Sequence, residues 1–190
     1  MKKEIKPNTL AMPTPVWCVG TYDKDDKPNV MTIAWGGICC STPPMLTVSL
    51  RKATYTYGAI MERGVYTVSI PSAKYVVEAD YFGIASGKDT DKFSATGLTP
   101  VRSTVVDAPY VDEFPLIFEC KVVETVELGL HTQFVGEILG IKADENVLNE
   151  KGRPMMDAVD CFTFSPTTRE YLGLGDVVGK SFSIGKKFLK

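Results

Sequence analysis

The stretch NVMTIAWGGICCSTPPMLTVSLRKATYT, residues 29–56, determines the fold that we predict for this chain. Apolar and β-branched residues predict one strand over 30–35 and a second over 45–50. A loop of small residues and a break at Pro43 and Pro44 separate the two strands. The second strand ends in a cluster of two cations and two hydroxyl groups: Arg51, Lys52, Thr54 and Thr56. Our hypothesis is that this cluster holds a phosphate, while the first strand and its loop hold a flat ring.

The flanking chain predicts further strands and two helices. Residues 16–22 form a strand that a polar turn connects to the strand at 29–35, as a hairpin. Helical spacing over 54–63 ends at Gly64, a residue suited to a helix C-terminus. A strand follows at 65–70, and then a helix with Ser72 as its N-cap.

The second half of the chain predicts mostly strands. Residues 85–97 are too polar for the core and predict a surface loop with one helical turn at Lys92 and Phe93. The longest β-like runs, 116–127 and 132–141, predict a hairpin. We also expect a loop or a frayed helical turn over 143–154 and a short strand over 162–164. Over 171–190 we expect irregular backbone laid over the body.

These elements predict a mainly β fold. Six or seven strands occur at uneven spacing with short helices between them, whereas parallel α/β folds alternate strand and helix regularly. We therefore expect an antiparallel β-barrel with helical insertions. A chain of 190 residues, 44% of them hydrophobic, fits one domain over 1–190, with residues 1–12 as an arm.

Charge and composition narrow the functional classes. The net charge is −2 and the isoelectric point is near 5.5, so we expect no nucleic acid partner. Neither a secretory signal nor a run of ~20 apolar residues is visible, and we expect a cytoplasmic protein without a membrane partner. The five cysteines lie in or beside apolar segments and include no C-x-x-C, which favours buried thiols. The adjacent pair Cys39 and Cys40 leaves redox chemistry open.

Several catalytic patterns are missing from the sequence. His131 is the only histidine, and the cysteines are not clustered, so we expect no metal site. The sequence contains no G-x-S-x-G, no phosphate loop of the G-x-x-x-x-G-K-[ST] type and no dinucleotide fingerprint. From the residues alone, the cluster at 51–56 fits either an anion site beside a helix start or an ordinary solvated turn with capping threonines.

A resemblance adds to this interpretation. The order N-x-M-T-x-A-W-G-G, S-x-P-P, S-L-R-K-x-T-Y-T and V-Y-T-V-S-I-P resembles the flavin reductase-like family, closest to its flavoredoxin branch. D-K-F at 91–93, L-G-x-H-T-x-F-V-G-E at 128–137 and Y-L-G-L-G-x-V-V-G-K in the tail also fit. Together these motifs cover more than 150 residues, and they imply a split β-barrel that binds FMN.

The resemblance also implies roles for individual residues. His131 would lie near the flavin face where a second substrate approaches, and Lys92 and Phe93 would close the pocket from the loop at 85–97. The residues implied to contact the isoalloxazine and ribityl chain are Asn29, Thr32, Ile33, Ala34, Trp35, Ser49, Leu50 and Arg51. The residues implied to take the phosphate are Arg51, Lys52, Thr54 and Thr56.

Two functions remain open on this resemblance. One is an FMN-dependent oxidoreductase that takes hydride from NADH or NADPH and passes electrons to free flavin, ferric iron or an acceptor protein. The other is an electron carrier of the flavoredoxin type without small-molecule turnover. Either would be a homodimer, as the resemblance implies.

Overall fold

An antiparallel sheet forms the body of the computed structural model, which describes residues 1–189. The strands are β1 (Thr14–Pro15), β2 (Trp17–Tyr22), β3 (Pro28–Ile33), β4 (Gly36–Ser41), β5 (Pro44–Arg51), β6 (Val65–Ile70), β7 (Pro100–Arg102), β8 (Pro109–Val111), β9 (Leu116–Leu128), β10 (His131–Ala143), β11 (Phe162–Ser165) and β12 (Glu170–Gly173). The α-helices are α1 (Tyr55–Arg63), α2 (Val76–Ile84), α3 (Lys92–Thr96) and α4 (Met156–Val159). Short 3-10 helices cover Ala73–Tyr75, Glu145–Val147 and Ile184–Phe188.

The main sheet curves toward closure. Within residues 1–189 its seven strands run in the order β3-β2-β6-β9-β10-β5-β4, and every paired neighbour is antiparallel. The Ser49 amide donates to the Trp35 carbonyl at 2.9 Å, which ties the chain after β3 to β5 across the open side of the sheet. The expectation of a mainly antiparallel fold with helical insertions is confirmed.

Two apolar clusters fill the fold. The first lies among the strands and includes Val19, Leu50, Tyr66 and Phe134. The second packs α2 and α3 against β2 and β3, with Phe82 and neighbouring aromatic rings at its centre. The helices therefore cover one face of β3 and leave its end open to the site described below.

The hairpin of β2 and β3 has an acidic residue at its turn. The Asp23 carboxylate accepts hydrogen bonds from the amides of Asp25 and Lys27, each at 2.9 Å, and from the Tyr55 hydroxyl at 2.8 Å. Burial acts to raise the pKa of Asp23, but these hydrogen bonds outweigh it and the pKa lies below its ordinary value. Asp23 thus joins the predicted hairpin to the start of α1.

The predicted small-residue loop is wrong, because residues 36–41 form β4. This strand pairs with β5 from Gly36 opposite Val48 to Ser41 opposite Pro44. An edge strand can form with few large side chains. At Gly36 a larger residue would not fit, because a Cβ there would lie 2.8 Å from the Trp17 ring. The position of β4 at the sheet edge also exposes Cys39, against the expectation of buried thiols.

Residues 85–97 are not wholly a surface loop, because Lys92 is only 4% exposed and Phe93 is equally buried. The Lys92 ammonium donates to the carbonyls of Val30 and Phe82, both at 2.8 Å. β3 is an edge strand, so its outer carbonyls have no strand partner. A lysine with a long apolar stem can enter the core because it finds such acceptors there.

The prediction of irregular backbone over 171–190 is partly wrong, because residues 171–173 belong to β12 and a 3-10 helix covers Ile184–Phe188. The chain after β12 also does not lie over the body. Residues 174–189 are exposed throughout, and Phe182 is 97% exposed. Apolar side chains in this tail therefore have no cover from their own chain. No helix in residues 1–189 has the length and apolar character needed to cross a membrane.

Gly136 is predicted to be essential for packing, since a Cβ there would lie 2.2 Å from the Tyr66 hydroxyl oxygen. We expect Gly136→Ala to lower the free energy of unfolding by about 1–3 kcal/mol, as overpacking does in dense cores. Chemical denaturation measures the loss. Gly37→Ala is the matched control, because a Cβ at Gly37 meets nothing within 4 Å.

The Tyr66 hydroxyl has no hydrogen-bond partner among the described residues. Tyr66→Phe should therefore recover part of the loss in the Gly136→Ala background. Equal stabilities for Gly136→Ala and Gly37→Ala would contradict the packing argument.

Candidate functional site

A groove runs along β3 between the start of α1 and the end of α2. It consists of two cavities of about 190 and 200 Å³ that share Gly83 in their walls. The first, the polar cavity, is lined by Met31, Ala53, Thr54, Tyr55, Thr56, Phe82, Gly83, Ala85, Ser86, Gly87 and Lys92. The second, the flat cavity, is lined by Val16, Thr32, Ile33, Ala34, Asp80, Gly83, Ile84, Phe164 and Tyr171.

Asn29 and Thr56 are buried at the polar cavity and contact each other. The Asn29 side-chain nitrogen donates to the Thr56 hydroxyl oxygen at 2.9 Å, so the Thr56 hydroxyl proton stays free to donate elsewhere. The Asn29 carbonyl oxygen Oδ1 is buried without a partner among the described residues. A Cβ at Gly87 would lie 2.1 Å from this oxygen, so only glycine allows the loop to approach. The pair therefore offers one hydroxyl donor to a ligand, that of Thr56, since Asn29 itself does not line the cavity.

The start of α1 adds backbone donors to the same cavity. Thr54 is the N-cap residue, but its hydroxyl donates to the Arg51 carbonyl at 2.8 Å and does not cap the helix. The first amides of a helix have no partner within the helix, and the helix dipole makes that end positive. A nine-residue helix starting at Tyr55 therefore presents an anion-attracting end to the cavity.

Lys92 supplies the positive charge of the polar cavity. Its ammonium has three N–H groups, and the carbonyls of Val30 and Phe82 take two of them. Burial lowers the pKa of Lys92 to about 8, partly offset by the nearby Cys18. The third N–H remains available, and an anion in the cavity would stabilise the charged form.

The lining of the flat cavity is mostly apolar. Ile33 and Ala34 line it from the end of β3, and Phe164 and Tyr171 line it from the small sheet of β1, β11 and β12. Thr32 donates to the Ala79 carbonyl, which anchors β3 to α2. A planar ring could lie between these walls.

A hydrogen bond closes one side of the flat cavity. The Tyr171 hydroxyl donates to the Asp80 carboxylate at 2.8 Å. Burial and this hydrogen bond raise the pKa of Tyr171. Tyr171 therefore remains a neutral donor that connects β12 to α2.

The structure brings together only part of the predicted set. Asn29, Thr32, Ile33, Ala34, Thr54, Thr56 and Lys92 lie at the groove. Trp35 lies one residue beyond it and lines a third cavity. The side chains of Leu50 and Phe93 are in the core, where only their backbone could reach a ligand.

The remaining predicted residues lie at the end of β5 and the start of β10. Arg51 is opposite His131 in the sheet, and neither lines the groove. The Lys52 ammonium forms an exposed ion pair with Glu127 at 2.6 Å. Successive residues at a strand end point in different directions, so a cluster in sequence need not be one in space. The ligand roles of these residues and of Ser49 stay predictions.

Sequence reasoning missed several groove residues. Tyr55 lies at the start of the predicted helix over 54–63, and Ser86 and Gly87 lie in the predicted surface loop over 85–97. Gly87 in that polar loop was a usable signal of close backbone approach. Asp80, Phe164 and Tyr171 carried no local signal, because only the tertiary fold brings α2 and the small sheet to β3.

Comparisons with known proteins agree with this geometry. A family model described as a flavin reductase like domain matches residues 9–162. Flavoredoxin of Desulfovibrio vulgaris (Miyazaki F) is 54% identical, with a TM-score of 0.93 over 98% of this chain and 100% of that chain. A structure with a split barrel domain from Shewanella frigidimarina NCIMB 400 is 24% identical, with a TM-score of 0.81 over 90% of this chain and 86% of that one, and shows the shared fold.

Curated relatives match over shorter stretches. Ferric-chelate reductase (NAD(P)H) of Archaeoglobus fulgidus is 30% identical over 99 residues, which is 51% of this chain and 57% of that protein. The chain spans 66% and 46% of the lengths of two further relatives, at 37% and 32% identity. The family model, by contrast, covers most of the chain. This protein therefore belongs to the flavin reductase like family and has its split β-barrel fold.

Proposed function

We propose that this protein is an FMN-dependent oxidoreductase that passes electrons from NADH or NADPH through bound flavin to a flavin, ferric or protein acceptor. The observation that carries the proposal is the two-part groove, with an anion-attracting cavity at one end and a flat apolar cavity at the other. FMN has the same two parts, a phosphate and a planar ring.

The polar cavity fits the phosphate and ribityl chain. The Thr56 hydroxyl, the first amides of α1 and the third N–H of Lys92 are all donors, as a phosphate requires. Asn29 orients the Thr56 donor, because the Asn29 side-chain nitrogen donates to the Thr56 hydroxyl oxygen. Thr54 lines the same cavity, and we propose Arg51 and Lys52 as outer phosphate contacts.

The flat cavity fits the isoalloxazine ring between β3 and the small sheet. Bound FMN would supply the hydride and electron transfer, and the protein would supply position and electrostatics. Thr32, Ile33, Ala34 and Trp35 would line the ring, with Ser49 fixing the Trp35 carbonyl. We propose that His131, at the start of β10, contacts the second substrate rather than the ring.

The second candidate is an electron carrier without small-molecule turnover. The observation that favours it is the 54% identity to a protein named flavoredoxin, over almost the full chain. Both functions need the same FMN site, so the groove does not distinguish them. Turnover with a nicotinamide distinguishes them, because only the oxidoreductase would show it.

Thr56→Val should weaken FMN binding much more than riboflavin binding, because only FMN has a phosphate to receive the Thr56 hydroxyl. Hydrogen bonds to charged groups contribute about 1.5–3 kcal/mol, so we expect a loss of roughly ten- to a hundredfold in FMN affinity. Quenching of flavin fluorescence measures both ligands. Thr47→Val on β5, outside the groove, is the control. An equal loss of riboflavin affinity would show that Thr56 does not contact the phosphate.

The affinity for FMN should fall as the pH rises through about 8. The pKa of Lys92 lies near 8 in the free protein, so above this pH the ammonium must regain a proton before it can pair with phosphate. The expected slope approaches about tenfold per pH unit, while riboflavin affinity stays nearly constant. Fluorescence titrations from pH 7 to 9.5 measure both, and Lys92→Met should abolish the difference. An equal pH dependence for the two flavins would contradict the role of Lys92.

The purified, FMN-loaded protein should oxidise NADH or NADPH in the steady state, measured by loss of nicotinamide absorbance. Flavin reductase-like chemistry requires this donor step, and added FMN or ferric chelate should sustain it. Oxidation at the rate of free FMN with both nicotinamides would leave the electron carrier as the function. Absence of any FMN binding would contradict both candidates.

We also propose a homodimer. The exposed tail at 174–189 combines apolar side chains such as Val178 and Phe182 with three lysines. The tip of the β9–β10 hairpin combines exposed Leu128 and Leu130 with glutamates, among them Glu124. A basic apolar tail and an acidic apolar hairpin are complementary between two copies. Light scattering of the full chain and of a chain ending at Gly173 tests this, since the shortened chain should be monomeric.

A further inference from the structure

A third cavity lies between the N-terminal arm and the end of β3, and it shares only Ala34 and Trp35 with the proposed FMN site. Its volume is about 400 Å³, within the ~300–1,000 Å³ range of small-ligand pockets. The arm contributes residues 9 and 11–15, and the body contributes Ala34, Trp35 and Gly36. Ala34 also lines the flat cavity, so the two cavities adjoin across a single small residue. We call this third cavity the arm cavity.

The lining of the arm cavity is uncharged. Its side chains are those of Ala11, Met12, prolines, threonines and the Trp35 indole. The lysines of the arm, at positions 2, 3 and 6, precede the lining residues and do not contribute to it. A charged ligand group would find no ion-pair partner among these side chains. The cavity therefore favours a neutral ligand.

The few polar groups suit a carbonyl-bearing ligand. The Thr14 hydroxyl donates to the Phe164 carbonyl at 2.8 Å, which keeps the arm against β11. The Thr9 hydroxyl makes only a 3.5 Å contact with the Asn8 side chain and can turn to donate to a ligand oxygen. The Trp35 indole offers a planar surface against which an aromatic ring can stack.

We infer that the arm cavity is the site of the electron acceptor and that it takes a neutral, planar quinone. This inference rests on the proposed function, since the electrons come from reduced FMN in the adjoining flat cavity. The quinone gains two electrons and two protons and leaves as the hydroquinone. The reduced flavin loses the same two electrons and two protons and returns to its oxidised form.

The uncharged lining favours a quinone over ferric chelates and nicotinamide dinucleotides, which are charged. A ferric chelate carries carboxylates, and a nicotinamide dinucleotide carries a pyrophosphate. Neither finds a cation in the arm cavity. A ferric or nicotinamide substrate would therefore bind elsewhere and should not compete with a quinone for this site.

Binding of menadione, a neutral naphthoquinone, tests the inference. Isothermal titration calorimetry with the full chain, both FMN-free and FMN-loaded, should show saturable binding at one site per chain. Met12 lines the cavity and is 58% exposed, so Met12→Glu places a charge at the wall without disturbing the core. We expect menadione affinity to fall about tenfold or more in this variant.

Ile5→Glu is the matched control, because Ile5 is on the same arm, is 74% exposed and does not line the cavity. It should bind menadione as the unaltered chain does. Both variants should retain FMN affinity. Deletion of residues 2–12 removes half of the lining residues that the arm contributes, and it should weaken menadione binding at least as much as Met12→Glu.

Anaerobic mixing of the dithionite-reduced, FMN-loaded protein with menadione tests electron transfer. The rate of flavin oxidation should saturate with menadione, and the half-saturating concentration should rise about tenfold in Met12→Glu. Ferric-EDTA should neither compete with menadione nor distinguish the two variants. Equal menadione binding by Met12→Glu and Ile5→Glu, or none by the unaltered chain, would overturn the inference. Menadione binding without FMN binding would instead overturn the proposed function and leave the cavity as a quinone site.

Discussion

The Lys92 ammonium is the interaction on which the groove depends. It bridges a carbonyl of the edge strand β3 and a carbonyl near the end of α2, and thereby holds the two walls at a set distance. A buried charge is unfavourable unless its hydrogen bonds are satisfied, and two of its three donors are. Lys92 also lines the polar cavity, so the group that stabilises the walls is also the positive charge available to an anion. Structure and recognition are therefore coupled through one side chain.

The groove divides its tasks along β3. Asn29 and Thr56 lie where the chain turns between elements and backbone donors are free, and Ile33 and Ala34 lie where apolar walls converge. Gly87 permits the loop to approach Asn29, and Gly83 belongs to both cavities. Such a site suits a ligand with a charged end and a planar end. The arm cavity is the third cavity along this strand, after the polar and flat cavities, and Ala34 lies between the flat cavity and the Trp35 indole.

Local sequence patterns predicted the strands and helices better than they predicted where individual side chains lie in the fold. β-Branching and alternation predicted the strands at 16–22, 45–50 and 65–70, and Gly64 ends α1 in the left-handed conformation that its position required. The loop expected at 36–41 is instead β4, because cross-strand pairing with β5 outweighs the weak strand preference of glycine. The polarity of 85–97 suggested exposure, yet Lys92 is buried because carbonyls from distant elements accept its hydrogen bonds.

The sequence by itself determined the antiparallel class, the order of the strands along the chain and the family, because these follow from local periodicity and from motifs in a particular order. It also identified Asn29, Thr32, Thr54, Thr56 and Lys92, now found at one groove. Only the tertiary structure decided that Arg51 and Lys52 do not line that groove, and that Asp80, Phe164 and Tyr171 do. The physical reason is that side-chain direction at strand ends, and contacts between elements distant in sequence, depend on packing that local residue preferences do not contain.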